Sequence, residues 1–497
     1  MKQPDPNAPP RVALVVDNPF RDLPGMVLVA LRLCQQGAEC YLVPMNLQER
    51  EIGALAPDFV LLNYLRKGND ALAQHLINAG VEVGVLDTEG GVLSSLNSYE
   101  QIMAPSANLR DQVSVLCTWG HKLAAHAVEH RWYREDQVAV TGAPRFDYYV
   151  EPWRQASLEM SEYAELYRQP LVLLNGSFSV ANPLSGSPEQ EANFLVRRFD
   201  YDREEIDRYQ RTQRETLLGM ADLANRLAAR FPEVTFVYRP HPFEKLRTYE
   251  KLFEPLGNLH LIREGTVDGW ILRASAVIQR GCSTAIEAGV AGVPALTPAW
   301  LPAAEHFESV ESVSVQCASY EEMESVVEQI QAGVYAVPPE VRANLEQVIT
   351  DWFRAIDGTS NERVATAIAD SLTTREVPDL HECRLLLYYP TRPHASLKKR
   401  IQNHIRYHLR LSPAYSFRQW RPATTGKWEK SDKSFGVEHV ARIVESVSSL
   451  LEDVFDVGLA TERRAYHFGY DQGKAVRIAS KTPVATHTPS PHASTVS

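Results

Sequence analysis

Ala276-Val277-Ile278-Gln279-Arg280-Gly281-Cys282-Ser283-Thr284-Ala285-Ile286-Glu287-Ala288-Gly289, running on through Val290 to Leu296, decides the fold. A short apolar run ends in a loop of small residues with two hydroxyls. An apolar helical pattern follows, and Gly292-Val293-Pro294-Ala295-Leu296 opens another strand. A strand, a small-residue loop and a helix in that order form the unit of a parallel α/β sheet. Such a loop turns backbone N–H groups toward a helix N-terminus, a natural seat for an anion such as a nucleotide phosphate. Upstream, the apolar strand Val234 to Tyr238 ends in Arg239-Pro240-His241-Pro242, which puts a cation and an imidazole at a strand's carboxyl end. Open α/β sheets bind ligands there.

Working outward, the same alternation recurs. Val12 to Val16 is a continuous apolar run, Met26 to Gln35 has helical periodicity, Gly37 breaks it, and Glu39 to Val43 resumes as strand. Phe59 to Leu62, Val81 to Leu86, Val113 to Thr118 and Gln137 to Thr141 continue the series. A break rich in charge and aromatics falls near 151–169, and Leu171 to Leu174 starts a second series that closes with a helix over Asn361 to Leu372. The pattern predicts an α/β protein of two Rossmann-like domains facing a cleft: residues 1–160 on the acceptor side and 168–372 holding a nucleotide donor. Residues 373–479 form an extension in which Lys398, Lys399, Arg400, Arg406, Arg410 and Arg418 alternate with Tyr407, Tyr415, Phe417 and Trp420. From 480 to 497 the Thr/Pro/Ser/His-rich composition predicts a disordered tail. Pro183 to Arg208 reads as a polar excursion.

Composition narrows the function classes. The chain has 497 residues, too many for one ordinary core, and is 44% hydrophobic and 23% charged, as soluble globular proteins are. A net charge of −11 argues against nucleic acid as a partner. No apolar run approaches the roughly 20 residues that span a bilayer, and the start lacks the apolar core of a signal peptide, so a cytoplasmic location is expected. The six scattered cysteines, with no CxxC pair, are expected to be buried thiols rather than disulfides or a zinc site.

Three constellations carry chemistry. In Arg239-Pro240-His241-Pro242 the prolines stiffen the strand exit. A fixed His241 there can stabilise charge on a leaving group, and Arg239 can add a charge-assisted bond. In Gly281-Cys282-Ser283-Thr284, the hydroxyls can cap the following helix and bond a phosphate, with Glu287 one turn along, in reach of ribose hydroxyls. Ser/Thr followed by Glu is also a capping box. In Asp87-Thr88-Glu89-Gly90-Gly91, directly after a strand, a carboxylate can act as general base on an acceptor hydroxyl, the glycines leaving room for substrate. Asp17 lies after the first strand and could line the acceptor side. Asn175 and Ser177 follow the first strand of the second half and could touch phosphate. Arg145 and Asp147, in the Thr141 to Asp147 segment, read as an ion pair at the domain junction. No nucleophile elbow, Walker A loop, HExxH or other metal-ligand cluster stands out, and Asp200-Tyr201-Asp202 reads as a surface feature.

These residues resemble bacterial surface-carbohydrate biosynthesis proteins of the GT-B glycosyltransferase architecture. The layout is similar to the CMP-Kdo and CMP-sialic acid transferases and, more distantly, to CDP-glycerol glycerophosphotransferases. The resemblance implies that Glu89-Gly90 carries the catalytic base, that His241-Pro242 and Ser283-Thr284 bind the donor phosphate, and that the reaction is metal-independent, with no cofactor. It implies a nucleotide-sugar donor, preferably a CMP-linked ulosonic acid, and a glycan or lipid-linked glycan acceptor. Thr88 stands where that family often has an acidic residue. A polyol phosphotransferase, a UDP-sugar transferase or epimerase, and a non-catalytic nucleotide-sugar-binding scaffold are the competing expectations. The basic, aromatic segment 396–433 is expected to dock on an anionic membrane surface or to pack on the acidic body.

Overall fold

A computed structural model describes residues 8–481 apart from 67–68, 92–95, 97–98, 101–103, 162–166, 200, 373–376, 390, 392–396, 410–433, 461–463, 466–469 and 472. The first unit is built on strands β1 (Arg11–Val16), β2 (Glu39–Pro44), β3 (Phe59–Leu62), β4 (Glu82–Leu86), β5 (Val115–Thr118) and β6 (Val138–Val140). They lie in the order β2-β1-β3-β4-β5-β6, every pairing parallel, with Leu14 opposite Leu42 and Leu61 opposite Gly84. Val12 to Val16 are all buried. A parallel strand covered on both faces needs such an unbroken apolar run.

The second unit holds β7 (Leu171–Asn175), β8 (Thr235–Arg239), β9 (Leu259–Leu261), β10 (Ala276–Gln279), β11 (Ala295–Pro298) and β12 (Val315–Cys317). Their order is β12-β11-β10-β7-β8-β9, again all parallel. The side-chain period of two divides each central strand between two cores. Leu171, Leu173, Val237 and Val277 face one cluster, while Val172, Leu174, Phe236 and Ile278 face the other. The two-Rossmann architecture expected from the sequence is the one observed.

Both strand orders reverse direction once. In the first unit the reversal falls between β1 and β3, in the second between β7 and β10. At such a switch point the neighbouring crossovers leave on opposite faces, so the carboxyl ends open a crevice.

Other elements seat the units on one another. Helix Pro339–Trp352 packs against helix His121–Glu129, and Trp352 stacks on Tyr99 at 5.7 Å. Helix Ser360–Ser371 returns to the first unit and lies on helix Leu23–Gln35, where Arg32 Nε donates to Asn361 Oδ1 at 3.2 Å. The polar stretch expected as an excursion contains helix Pro188–Phe199 and the start of the 28-residue helix Arg203–Arg230. Asp202 caps the latter by accepting from Glu205 N at 3.0 Å, so the surface reading of this residue becomes a helix cap; Asp200 lies outside the described residues.

Residues of the C-terminal extension widen the first sheet. Strands β13 (Phe455–Leu459) and β16 (Val476–Ser480) bracket a two-stranded ribbon of β14 (Arg464–Ala465) and β15 (Tyr470–Asp471). β16 pairs antiparallel with β2, Ile478 opposite Cys40, and β13 covers the new edge. Buried Glu51 accepts from Lys474 N and Ala475 N, both at 3.1 Å, and Arg477 pairs with Glu39. Helix Val437–Leu451 buries Val440, Ile443, Val444 and Val447 against helices Leu23–Gln35 and Trp153–Met160. Most of the basic segment, residues 410–433, lies outside the described residues, as does the tail from 482 on. Among the described residues no helix is long and apolar enough to cross a membrane. All six cysteines are free thiols, five of them buried.

Ile478 is fully buried at the β16–β2 seam. Ile478→Asp places an uncompensated charge there and is expected to cost about 3–5 kcal/mol, read as a lowered urea midpoint; an unchanged midpoint would show that the added strands contribute nothing to the first unit.

Candidate active site

The β7/β10 switch point opens into a cleft with a volume of about 130 Å³. Asn175, Gly176, Arg239, His241, Pro242, Arg263, Cys282, Ser283, Thr284 and Glu287 line it from the second unit, and Asn18, Phe20 and Arg21 from the first. The two motifs separated by 40 residues in the chain thus form one wall.

His241 is held from both sides. Its backbone N–H donates to Glu244 Oε1 at 3.0 Å, and its Nδ1 accepts from Phe243 N at 3.3 Å. A ring nitrogen that accepts an N–H bond carries no proton, so the neutral ring has its proton on Nε2 and acts as a donor there. Glu244, three residues on, is fully buried and also accepts from Phe178 N at 2.9 Å and from the Tyr249 hydroxyl. Burial raises its pKa, opposed by Tyr249 and the two N–H bonds. One carboxylate therefore fixes both the His241 turn and the loop after β7.

The 281–284 loop is set differently from the expected cap. Buried Gln279 accepts from Cys282 N at 2.7 Å while donating to Thr297 Oγ1 at 2.7 Å and Ser314 Oγ at 3.1 Å. Gly281 sits at φ +69°, where a side chain would be strained. Helix Thr284–Val290 has no side-chain cap from Ser283 and no capping box. Glu287 is engaged within the protein: it is buried, accepts from Tyr149 Oη at 2.7 Å and lies 3.6 Å from Arg145 Nη2. Burial raises its pKa, and Arg145 pulls it back.

The cations are redistributed as well. Arg239 donates through Nη1 to Glu264 O and through Nη2 to Gly265 O at 2.8 Å, over the Trp270 ring at 5.4 Å. It secures the loop after β9, and burial lowers its pKa to about 10. Arg263, after β9, lines the cleft, with Nη2 on Glu244 O and a buried Nε that has no hydrogen-bond partner. Asn175 Nδ2 and Thr284 Oγ1 are likewise buried without a partner. Ser177 stays off the cleft wall; its carbonyl accepts from Gln213 Nε2 at 3.1 Å.

Across the cleft Arg21 gathers the acidic residues. It bonds Glu89 Oε1 at 2.9 Å and Asp22 at 2.9 Å, with Asp17 at 3.5 Å. Burial disfavours its charge, but Asp22, Glu89 and Asp17 together hold its pKa above the ordinary arginine value. Asp17 and Glu89 are therefore neighbours of the cleft through Arg21 rather than lining groups. Asp87 is buried, pairs with Arg66 at 3.1 Å and accepts from Glu89 N at 2.8 Å. It lines a smaller hollow at the ends of β1, β3 and β4 with Asn63, Thr88 and Arg145. Gly90 and Gly91 do not make room for substrate: a Cβ on either would come within 2.8 and 2.7 Å of the Trp119 ring.

Arg145 and Asp147 do not pair. Arg145 lies 3.7 Å from Asp22 and 3.6 Å from Glu287, over Trp119 at 4.8 Å. Asp147 accepts from Ser360 N at 3.2 Å and from Asn361 N and Nδ2 at 2.8 and 2.7 Å, tying the returning helix to the first unit. Of the residues that sequence reasoning missed, Glu244 and Gln279 had a local signal, each three residues from the motif it supports. Arg21 and Arg263 had none beyond their places after strands.

No family model matches the chain, and no curated protein matches it in sequence. Among solved structures it is similar to a putative UDP-N-acetylglucosamine 2-epimerase from Listeria monocytogenes, at 13% identity over 75% of this chain and 98% of that one, with a TM-score of 0.47. It is similar to the UDP-GlcNAc 2-epimerase from Neisseria meningitidis bound to UDP-GlcNAc, at 13% identity over 72% and 99%, TM-score 0.45. A variant of the wall teichoic acid polymerase TagF matches at 11% identity over 73% and 89%, TM-score 0.47. Likenesses this distant carry no argument about reaction or substrate.

Glu244→Ala orphans two N–H groups at about 1–3 kcal/mol each and is expected to loosen the His241 turn and lower the Tm. Glu244→Gln keeps an acceptor oxygen and is expected to restore most of the stability. An unchanged Tm in the Ala variant, by calorimetry, would show that Glu244 does not hold the turn.

Proposed function

We propose that the protein is a glycosyltransferase that binds a nucleotide-activated sugar in the interdomain cleft and moves the sugar onto a hydroxyl of a glycan or lipid-linked glycan. The observation that carries this reading is the convergence of His241, Arg263, Asn175 and Thr284 on one wall, three of them with buried polar atoms lacking partners, opposite the acidic Arg21 cluster. Unpartnered buried polar atoms are costly, and a phosphate would supply acceptors to the Arg263, Asn175 and Thr284 donors.

In the proposed reaction the acceptor hydroxyl loses its proton to Glu89 as its oxygen bonds the anomeric carbon. The bond from that carbon to the donor phosphate breaks, and the electron pair leaves with the nucleotide. His241 Nε2–H and the Arg263 guanidinium stabilise the growing phosphate charge. Glu89 is held by Arg21, which itself lines the cleft. An anion arriving there competes for Arg21 and frees the carboxylate to act as base. A CMP-linked ulosonic acid is the preferred donor. With Arg239 committed to two carbonyls, the wall is left with few cations, which supports one phosphate rather than two.

The fold gives one line of support for docking at an anionic membrane surface, where lipid-linked acceptors reside. Helix Leu397–His408 leaves Ile401 and Ile405 exposed beside Arg400, and Leu409 follows it exposed.

A thermal-shift screen against CMP, CDP, UDP, GDP and ADP tests the donor class. CMP alone is expected to raise the Tm by a few degrees, with the shift lost in His241→Ala. A selective UDP shift would replace the donor, and a binding protein with no turnover on any donor–acceptor pair would replace the enzyme. For transfer, His241→Ala is expected to lower the rate about 10²–10³-fold and Glu89→Gln about 10²–10⁴-fold. Full activity in either purified variant would remove its assigned role.

A further inference from the structure

Away from the cleft, His126 and His130 stand four residues apart at the end of helix His121–Glu129, so their side chains share one face. Their ring centroids are 3.8 Å apart. Glu100, distant in sequence, meets them. The three residues each offer a ligand atom, all within 4.8 Å of one another, and among the described residues they are the group that meets this criterion.

The histidines are prepared in a way that ordinary surface pairs are not. His126 is buried, 7% exposed, and its Nε2 is buried with no hydrogen-bond partner. A buried imidazole nitrogen without a partner calls for an explanation. His130 Nδ1 lies 3.0 Å from the His126 carbonyl oxygen. A carbonyl only accepts, so the proton of the neutral His130 ring is on Nδ1 and the Nε2 lone pair is available. This backbone-carbonyl support is the usual arrangement behind a metal-bound histidine. Trp132 stands edge-on to His126 at 5.1 Å and provides an apolar wall.

We propose that Glu100, His126 and His130 form a binding site for a divalent transition-metal ion of the zinc class. Two imidazoles and one carboxylate suit Zn²⁺, Co²⁺ or Ni²⁺ rather than Mg²⁺ or Ca²⁺, which take oxygen sets. Three protein ligands leave a fourth tetrahedral position for water. Bonds near 2.1 Å would place the ligand atoms about 3.4 Å apart, a closure that side-chain rotation of exposed Glu100 and His130 supplies. The sequence contained half of this signal, the His-x-x-x-His spacing, and nothing to connect it with Glu100.

The site's surroundings assign it a positioning role. Tyr99, the neighbour of Glu100, donates to the Glu89 carbonyl and stacks on Trp352 at 5.7 Å. Helix His121–Glu129 packs on the helix that ends in Trp352, with Lys122 and Asp351 paired at 3.3 Å. An ion held by Glu100 and the two histidines ties the Tyr99 segment to this interdomain helix pair and steadies the main chain at Glu89.

The test uses the full-length protein without an affinity tag, treated with chelator and then titrated with Zn²⁺ by calorimetry and with Co²⁺ by visible absorption. One saturable equivalent is expected in the micromolar range or tighter, with Co²⁺ bands of four-coordinate intensity and a raised Tm in Zn²⁺. His126 is buried, so the decisive variants are the exposed His130→Ala and Glu100→Gln, singly and together. Each is expected to lower affinity by more than the roughly 10–100-fold that loss of an outer-shell partner costs, and the pair to remove the equivalent and the Tm shift while circular dichroism stays unchanged. Absence of saturable binding in the wild type, or an undiminished equivalent in the double variant, overturns the proposal.

Discussion

The buried guanidinium of Arg145 is the contact on which the cleft depends. It lies between Asp22 of the first unit and Glu287 of the second, at 3.7 and 3.6 Å, with Trp119 beneath it and Thr88 O at 3.4 Å. Buried ion pairs contribute little net stability but fix one arrangement, because removing a partner leaves a desolvated charge. Here the arrangement fixed is the position of helix Thr284–Val290 against the Pro144–Tyr149 turn, reinforced by the Tyr149 hydroxyl on Glu287. The second unit's cleft wall and the acidic cluster are thereby held face to face. Asp147 does the same for the returning helix at Ser360 and Asn361. One short segment thus connects both units through two carboxylates of opposite roles, one receiving a cation and the other three N–H bonds.

Topology explains why this contact lies where it does. Each sheet reverses direction once, and each reversal opens at the carboxyl ends of its strands. The first offers Asp17 and Asn18 after β1; the second offers Asn175 at the end of β7 and Arg280-Gly281 after β10. The two crevices share one cleft because elements after the second sheet cross back. The helix from Pro339 lies on helix His121–Glu129, and the helix from Ser360 on helix Leu23–Gln35. β16 and β13 then extend the first sheet at β2, protecting what would be an exposed parallel edge.

The strands were legible in the sequence because buried parallel strands are unbroken apolar runs, as in Val12 to Val16, Val234 to Tyr238 and Ala276 to Gln279. The meeting of His241 with Ser283 and Thr284 was legible for the same reason: both motifs end central strands, and central strands in a doubly wound sheet end together. Partner choice was not legible. Arg145 next to Asp147 suggested a pair, yet a 3₁₀ turn over Pro144–Tyr149 aims them at different elements. Glycines 90 and 91 suggested space, and Trp119 occupies it. Arg239 suggested a phosphate ligand, but the loop after β9 presents two carbonyls within its reach. In each case a residue from another part of the chain, at a distance no spacing encodes, takes the group or the space that the local pattern had assigned elsewhere. The contributions of β13 and β16 were obscured by a basic segment whose composition dominated the reading of the whole extension.

What remains after these substitutions of partner is an asymmetric distribution of charge. The second unit's wall keeps Arg263 and His241 facing the cleft, with Glu244 spent beneath them on N–H groups and the Tyr249 hydroxyl. Behind the first unit's wall Glu89, Asp22 and Asp17 gather around Arg21, which lines the cleft. Three carboxylates gather around one guanidinium there, Asp22 being shared with Arg145, while the facing wall sets Arg239 and Arg263 against buried Glu244 and Glu287. The proposed transfer needs a phosphate-binding group and a proton-accepting carboxylate on opposite sides of one bond. Arg21 lines the cleft while holding Glu89, so in the proposed reaction the state of that base is coupled to the anion on the facing wall.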